Sequence, residues 1–194
     1  MFNGTINKNV LFGMIAAAVL LVGGIVFVVV SGGGSSPGIN GSSETSDNKT
    51  VDFTAVKACS ALTLDEAKQL LGNDATEINN TGEVTSGDIS VDNCSYTNNA
   101  TKAADIRIVT VTARSALTDS GQDSNIGAFE KNGTANPRGA SAVSGLGKKA
   151  YWDPAARQLT ILKGTTWYSI VYGSTNPANN TLDDAKKAAE LLLN

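Results

Sequence analysis

Apolar and polar positions divide this chain into three stretches. Residues 10–30 read VLFGMIAAAVLLVGGIVFVVV, 21 consecutive positions without a charged or polar side chain. A helix of that length covers roughly 30 Å, the hydrocarbon thickness of a bilayer. The pattern predicts a transmembrane signal-anchor helix over 10–30. The run is longer than the h-region of a cleaved signal peptide, about 7–15 residues, and no A-x-A site closes it. Lys8 is the one charged side chain before it, and the next positive charge is Lys49. The positive-inside bias then puts 1–9 in the cytoplasm and everything after Val30 outside, as a single-pass protein of the cell membrane.

Residues 31–50 hold five glycines, six serines and Pro37 with no apolar period. Such a stretch cannot bury a core; it reads as a flexible tether with a root-mean-square span of about 25 Å. Residues 51–194 form the third stretch, 144 residues, a single-domain length that can bury a useful core.

Within this extracytoplasmic domain the apolar spacing predicts a helix at Leu64–Leu71. Thr63 and Glu66 make a capping box, Leu62 and Ala67 occupy the staple positions, and Gly72 ends the helix. Leu64, Ala67, Leu70 and Leu71 form its apolar stripe. A last helix starts at the Thr181 cap, with Asp183 and Asp184 on its positive end. Its buried face is Leu182, Ala185, Ala188, Ala189 and Leu192. A weaker helix is expected near Ser124–Lys131, around Ile126 and Phe129. Strands are predicted at 93–97, 105–113, 149–152, 158–163 and 166–172, with a turn at Asp153-Pro154 and a tight hairpin at Gly164-Thr165. The order of elements gives an α+β domain: an antiparallel sheet of about four to six strands, packed on one face by N- and C-terminal helices.

Composition narrows the chemistry. The chain has no histidine, which excludes Ser-His and Cys-His catalysis and histidine-ligated metals. A formal charge of −3 argues against nucleic acid, which needs a basic patch. Cys59 and Cys94 are the two cysteines, and an even count outside the membrane reads as one disulfide. The competing reading, a redox or metal pair, lacks a C-x-x-C spacing.

Several short patterns suggest sites. Gly145-Leu146-Gly147-Lys148-Lys149 has the look of a phosphate loop, but Ala142 and Lys149 stand where glycine and Ser or Thr belong. A tight approach into the following strand explains it better. Asp119, Asp123, Asn125 and Glu130 match four positions of a calcium-loop spacing, a weak metal candidate, with Ser124 in place of the glycine that the loop needs. Tyr151, Trp152, Trp167, Tyr168 and Tyr172 cluster in the strands. Period-two alternation sends Trp167 and Tyr168 to opposite faces, so this group is the candidate binding face. No cofactor is expected.

The run Ala58-Cys59-Ser60-Ala61-Leu62-Thr63-Leu64-Asp65-Glu66-Ala67, then Leu71-Gly72 and Cys94-Ser95-Tyr96, resembles a family of actinobacterial-type cell-envelope lipoproteins and anchored proteins. They carry a "C-x-L-L-T…E…L-L-G" opening and a second Cys before an aromatic residue. Their "G-L-G…A-Y-W" and "L-x-V-x-K-G" segments are similar to Gly145–Trp152 and Leu159–Gly164. The resemblance covers most of 55–194. It implies a surface α+β domain with one disulfide, similar in outline to the PsbP-like fold, and no established enzymatic activity. The chain departs from the lipoproteins in having no cysteine after its apolar segment. The resulting expectation is a membrane-anchored extracytoplasmic domain that binds an envelope protein, a wall component or a small molecule. The alternative is a histidine-independent, carboxylate-based hydrolase acting on an envelope substrate.

Overall fold

Alternating burial along the longest strands organises the domain. The structure, a computed structural model, describes residues 51–78, 82–134, 139–174 and 180–194. The expected cytoplasmic segment 1–9, membrane helix 10–30 and tether 31–50 lie outside the described residues. Among the described residues no helix is long and apolar enough to cross a membrane.

The described elements include α1 (Ala58–Ala61), α2 (Leu64–Leu71), β1 (Thr76–Ile78), β2 (Val84–Ser86), β3 (Ile89–Thr97), a 3-10 turn (Ala103–Asp105) and β4 (Arg107–Ala116). They continue with α3 (Asp119–Thr134), β5 (Ser141–Val143), β6 (Lys149–Asp153), β7 (Gln158–Lys163), β8 (Thr166–Ser174) and α4 (Leu182–Leu193). The fold is α+β, with one antiparallel sheet in the order β1-β3-β4-β8-β7-β6-β5 and β2 paired to β3 beside β1.

Register explains the core. Cys94, Val111, Ile170, Leu159 and Trp152 are successive partners across five strands, and all five are buried. A neighbouring row runs Asp92, Ala113, Tyr168, Ile161, Ala150 and Val143. These rows share one face, because side chains of a strand alternate between faces. On that face Ala58 and Leu62 at α1, Ala67 and Leu71 of α2, and Ala185, Ala188, Ala189 and Leu192 of α4 complete one cluster. Thr63 and Glu66 form the expected capping box on α2, and Thr181 caps α4 through the Asp184 amide. Gly147 has φ 57°, and a Cβ there would lie 2.6 Å from the Leu162 carbonyl. The close approach lets Lys148 N–H donate to that carbonyl at 2.7 Å, so the glycine pair serves the strand rather than a phosphate.

Four expectations are corrected. Among the described residues the sheet has eight strands, more than four to six. The additional β1, β2 and β5 have three residues each and no apolar alternation, so pairing alone creates them. The helices do not all sit on one face. Phe129 of α3 packs with Leu162 and Trp167, whose register sets them opposite the main core. Helix α3 is also twice the expected length, Asp119–Thr134. Its glycines depress intrinsic helicity, but two of them make room for the sheet. A Cβ on Gly121 would overlap the Asp88 carbonyl, and one on Gly133 the Tyr151 ring. Finally, Leu64 of the α2 stripe is exposed; it stands at the helix start, a turn before the buried Ala67 and Leu71.

Candidate functional site

The five candidate aromatics fall on both faces of the sheet. Trp152, Tyr168 and Tyr172 point into the main core, while Tyr151 and Trp167 pack under α3. Four of them are buried, and Tyr151 is half-buried. They therefore share no continuous aromatic surface. Two of them reach clefts. Tyr168 lines a shallow one of about 480 Å³ beside Val51–Val56 and the β7–β8 turn. Tyr172 lines a narrower one at the end of β4 and β8.

The calcium-spaced residues all lie on α3 rather than in a loop, which separates their roles. Asn125 is fully buried. Its amide donates to the Arg114 and Thr165 carbonyls at 2.9 Å each, and its oxygen accepts from the Arg114 guanidinium. Glu130 pairs with Lys149 and accepts from the Tyr151 hydroxyl at 3.0 Å. Those bonds hold its carboxyl below the usual range, Lys149 contributing most and Tyr151 next. Asp119 begins the helix and Asp123 is exposed. Asn125 thus locks α3 onto β4 and the β7–β8 turn.

The narrow cleft, about 280 Å³, is built from residues distant in sequence: Asp105, Arg107, Tyr172, Ser174 and Asp184 among them. Strand register places Arg107 opposite Ser174 at one end of the β4–β8 ladder. The Thr181 cap fixes the first turn of α4, and with it Asp184. Arg107 donates to the Tyr172 hydroxyl at 3.4 Å, which itself donates to the Leu70 carbonyl at 2.8 Å. Burial pushes the Asp184 carboxyl up. Bonds from Lys187 and Thr181 and the Lys187 and Arg107 charges outweigh it, so the net direction is down. A general acid at neutral pH needs a carboxyl moved upward. The cleft instead offers a guanidinium facing an ionised carboxylate, which suits recognition of a charged or strongly polar group.

The cysteines meet where α1 packs on β3. Cys59 of α1 is bridged to Cys94 of β3, 35 residues apart, with Cα atoms 5.1 Å apart. Two buried contacts hold α1 there as well. The Ala58 N–H donates to the Asp92 carboxylate at 2.7 Å, and the Tyr96 hydroxyl donates to the Leu62 carbonyl at 2.8 Å. Asp92, Cys94 and Tyr96 lie at alternate positions of β3 and face the core together. The strand expected at 93–97 holds Cys94 and Tyr96, but Asp92 precedes it, and the contacts of Asp92 and Tyr96 required the fold.

Burial pushes the Tyr96 hydroxyl up to about 12, and the Glu77 and Glu66 charges add to it. A folded-state value above the unfolded one means that the contribution is complete below the unfolded value, near 10.0, and is lost as pH rises toward 12. Urea unfolding across that window is expected to show falling stability, and Tyr96→Phe should flatten the fall. Identical pH profiles for the two proteins would refute this assignment.

No family model, curated protein or solved structure matches the chain.

Proposed function

We propose that this chain is a membrane-anchored extracytoplasmic binding domain that serves the cell envelope as an accessory protein. In this reading residues 1–9 are cytoplasmic, 10–30 cross the bilayer, and 31–50 tether the α+β head outside. The single observation that carries it is the Cys59–Cys94 bridge. Structural disulfides persist in oxidising compartments and are rare in the reducing cytosol. The resemblance of 55–194 to anchored envelope proteins supports the same placement.

Binding is assigned to the Arg107–Asp184 cleft rather than to the aromatic group, whose members are mostly buried. A wall component, an envelope protein or a small molecule would present a charged or polar group to it.

Protease added to intact cells tests the placement. It is expected to cut within 31–50 and release the head, with both cysteines resisting alkylation until reduced. Resistance on intact cells followed by digestion after lysis would reverse the topology. Alkylation of both cysteines without reduction would remove the main support.

A further inference from the structure

The corner where α1 meets β3 and β1 holds a third potential ligand beside the two sulfurs. Glu77 pairs with Tyr96 in the β1–β3 ladder, so its side chain shares a face with Tyr96 and Cys94. One oxygen of Glu77 and the sulfurs of Cys59 and Cys94 all lie within 4.8 Å of one another. We propose that Cys59, Cys94 and Glu77 form a latent site for a thiophilic divalent cation, zinc or cadmium, which opens when the disulfide is reduced.

Geometry supports the ligand set. Zinc–thiolate bonds of about 2.3 Å at a tetrahedral angle set the sulfurs about 3.8 Å apart, a separation they can take up only once the bridge is broken. Two thiolates and one carboxylate match the preference of zinc and cadmium, and water completes four-fold coordination. Glu77 is exposed and Cys59 half-buried, which leaves an approach from the sheet edge. Cys94 is fully buried, which anchors the site.

The frame does not depend on the bridge. Cys94 is held in the middle of β3 by the ladder to Val111. Helix α1 is held by the Asp92 carboxylate at Ala58 and the Tyr96 hydroxyl at Leu62. These bonds keep Cys59 over Cys94 after the sulfurs separate.

A dithiol is the reductant that opens the site. It gives two electrons and two protons to the bridge: the S–S bond breaks, two S–H bonds form, and the dithiol becomes a disulfide. Cation binding then releases both thiol protons to solvent and forms two metal–thiolate bonds, with Glu77 as the third protein ligand.

The test is a cadmium titration of the full chain, oxidised and after reduction in metal-free buffer. The reduced chain should bind one cadmium ion with a thiolate-to-metal charge-transfer band, and its melting temperature should rise on loading. The oxidised chain should show neither change. Glu77→Gln, reduced, should bind at least about tenfold more weakly, and near-ultraviolet circular dichroism should show a packed core in every reduced sample. Four results would each overturn the site: no band on reduction, equal binding by the oxidised chain, unchanged affinity in Glu77→Gln, or loss of the packed core before cadmium is added.

Discussion

Phe129→Ala is expected to destabilise the domain by about 3–5 kcal/mol, the range for truncating a fully buried aromatic side chain. Phe129 has no exposed surface. Its ring meets Trp167 edge-on at 5.9 Å and Tyr151 at 5.3 Å. Leu162 closes the same small cluster. Helix α3 has little stability of its own, because glycines interrupt its sequence. The aromatic contact and the Asn125 bonds therefore supply most of what holds it on the sheet. Urea unfolding measures the cost. Fluorescence adds a local readout, since Trp167 lies under α3 while Trp152 sits in the opposite core. The emission should shift toward that of a solvated indole as α3 loosens. A loss below about 1 kcal/mol, typical of an exposed site, would show that α3 is held elsewhere.

The second large effect is expected from removing the disulfide. Cys59→Ser with Cys94→Ser should cost about 3–4 kcal/mol, the loop-entropy value for a closed loop of this size. The bridge spans 35 residues and encloses α2 and two of the three shortest strands, β1 and β2. Without it the unfolded chain gains freedom, while the folded chain keeps the Asp92 and Tyr96 bonds to α1. The double variant should remain folded, because a domain of this kind is stable by about 5–15 kcal/mol. Chemical denaturation of the oxidised protein against the double variant gives the difference. Complete unfolding of the variant in buffer would mean that the bridge, rather than those bonds, positions α1, and it would count against the latent metal site as well.

Both effects depend on how neighbouring strands stack side chains. The row from Cys94 to Trp152 places the bridge at one side of the hydrophobic layer and an aromatic ring at the other. The charged cleft sits at the end of the central β4–β8 ladder, where the helix caps bring Asp184 to Arg107. The domain thus carries its polar chemistry at the rim of the sheet.

Short-range signals were legible in the sequence. The Thr63–Glu66 capping box, the Thr181 cap, the Gly164-Thr165 hairpin and the β6–β7–β8 meander each depend on residues a few positions apart. Backbone hydrogen bonding and steric limits act at that range, so local residue types suffice to specify them. The even cysteine count likewise anticipated the bridge. The tertiary structure decided the rest. Strands β1, β2 and β5 exist through their partners. The length of α3 follows from two glycines that fit against Asp88 and Tyr151. The meeting of Glu77 with the cysteines, and of Arg107 with Asp184, follows from register and helix docking. Such juxtapositions arise only after distant segments pack, since no local pattern records which sequence-distant strands will lie side by side.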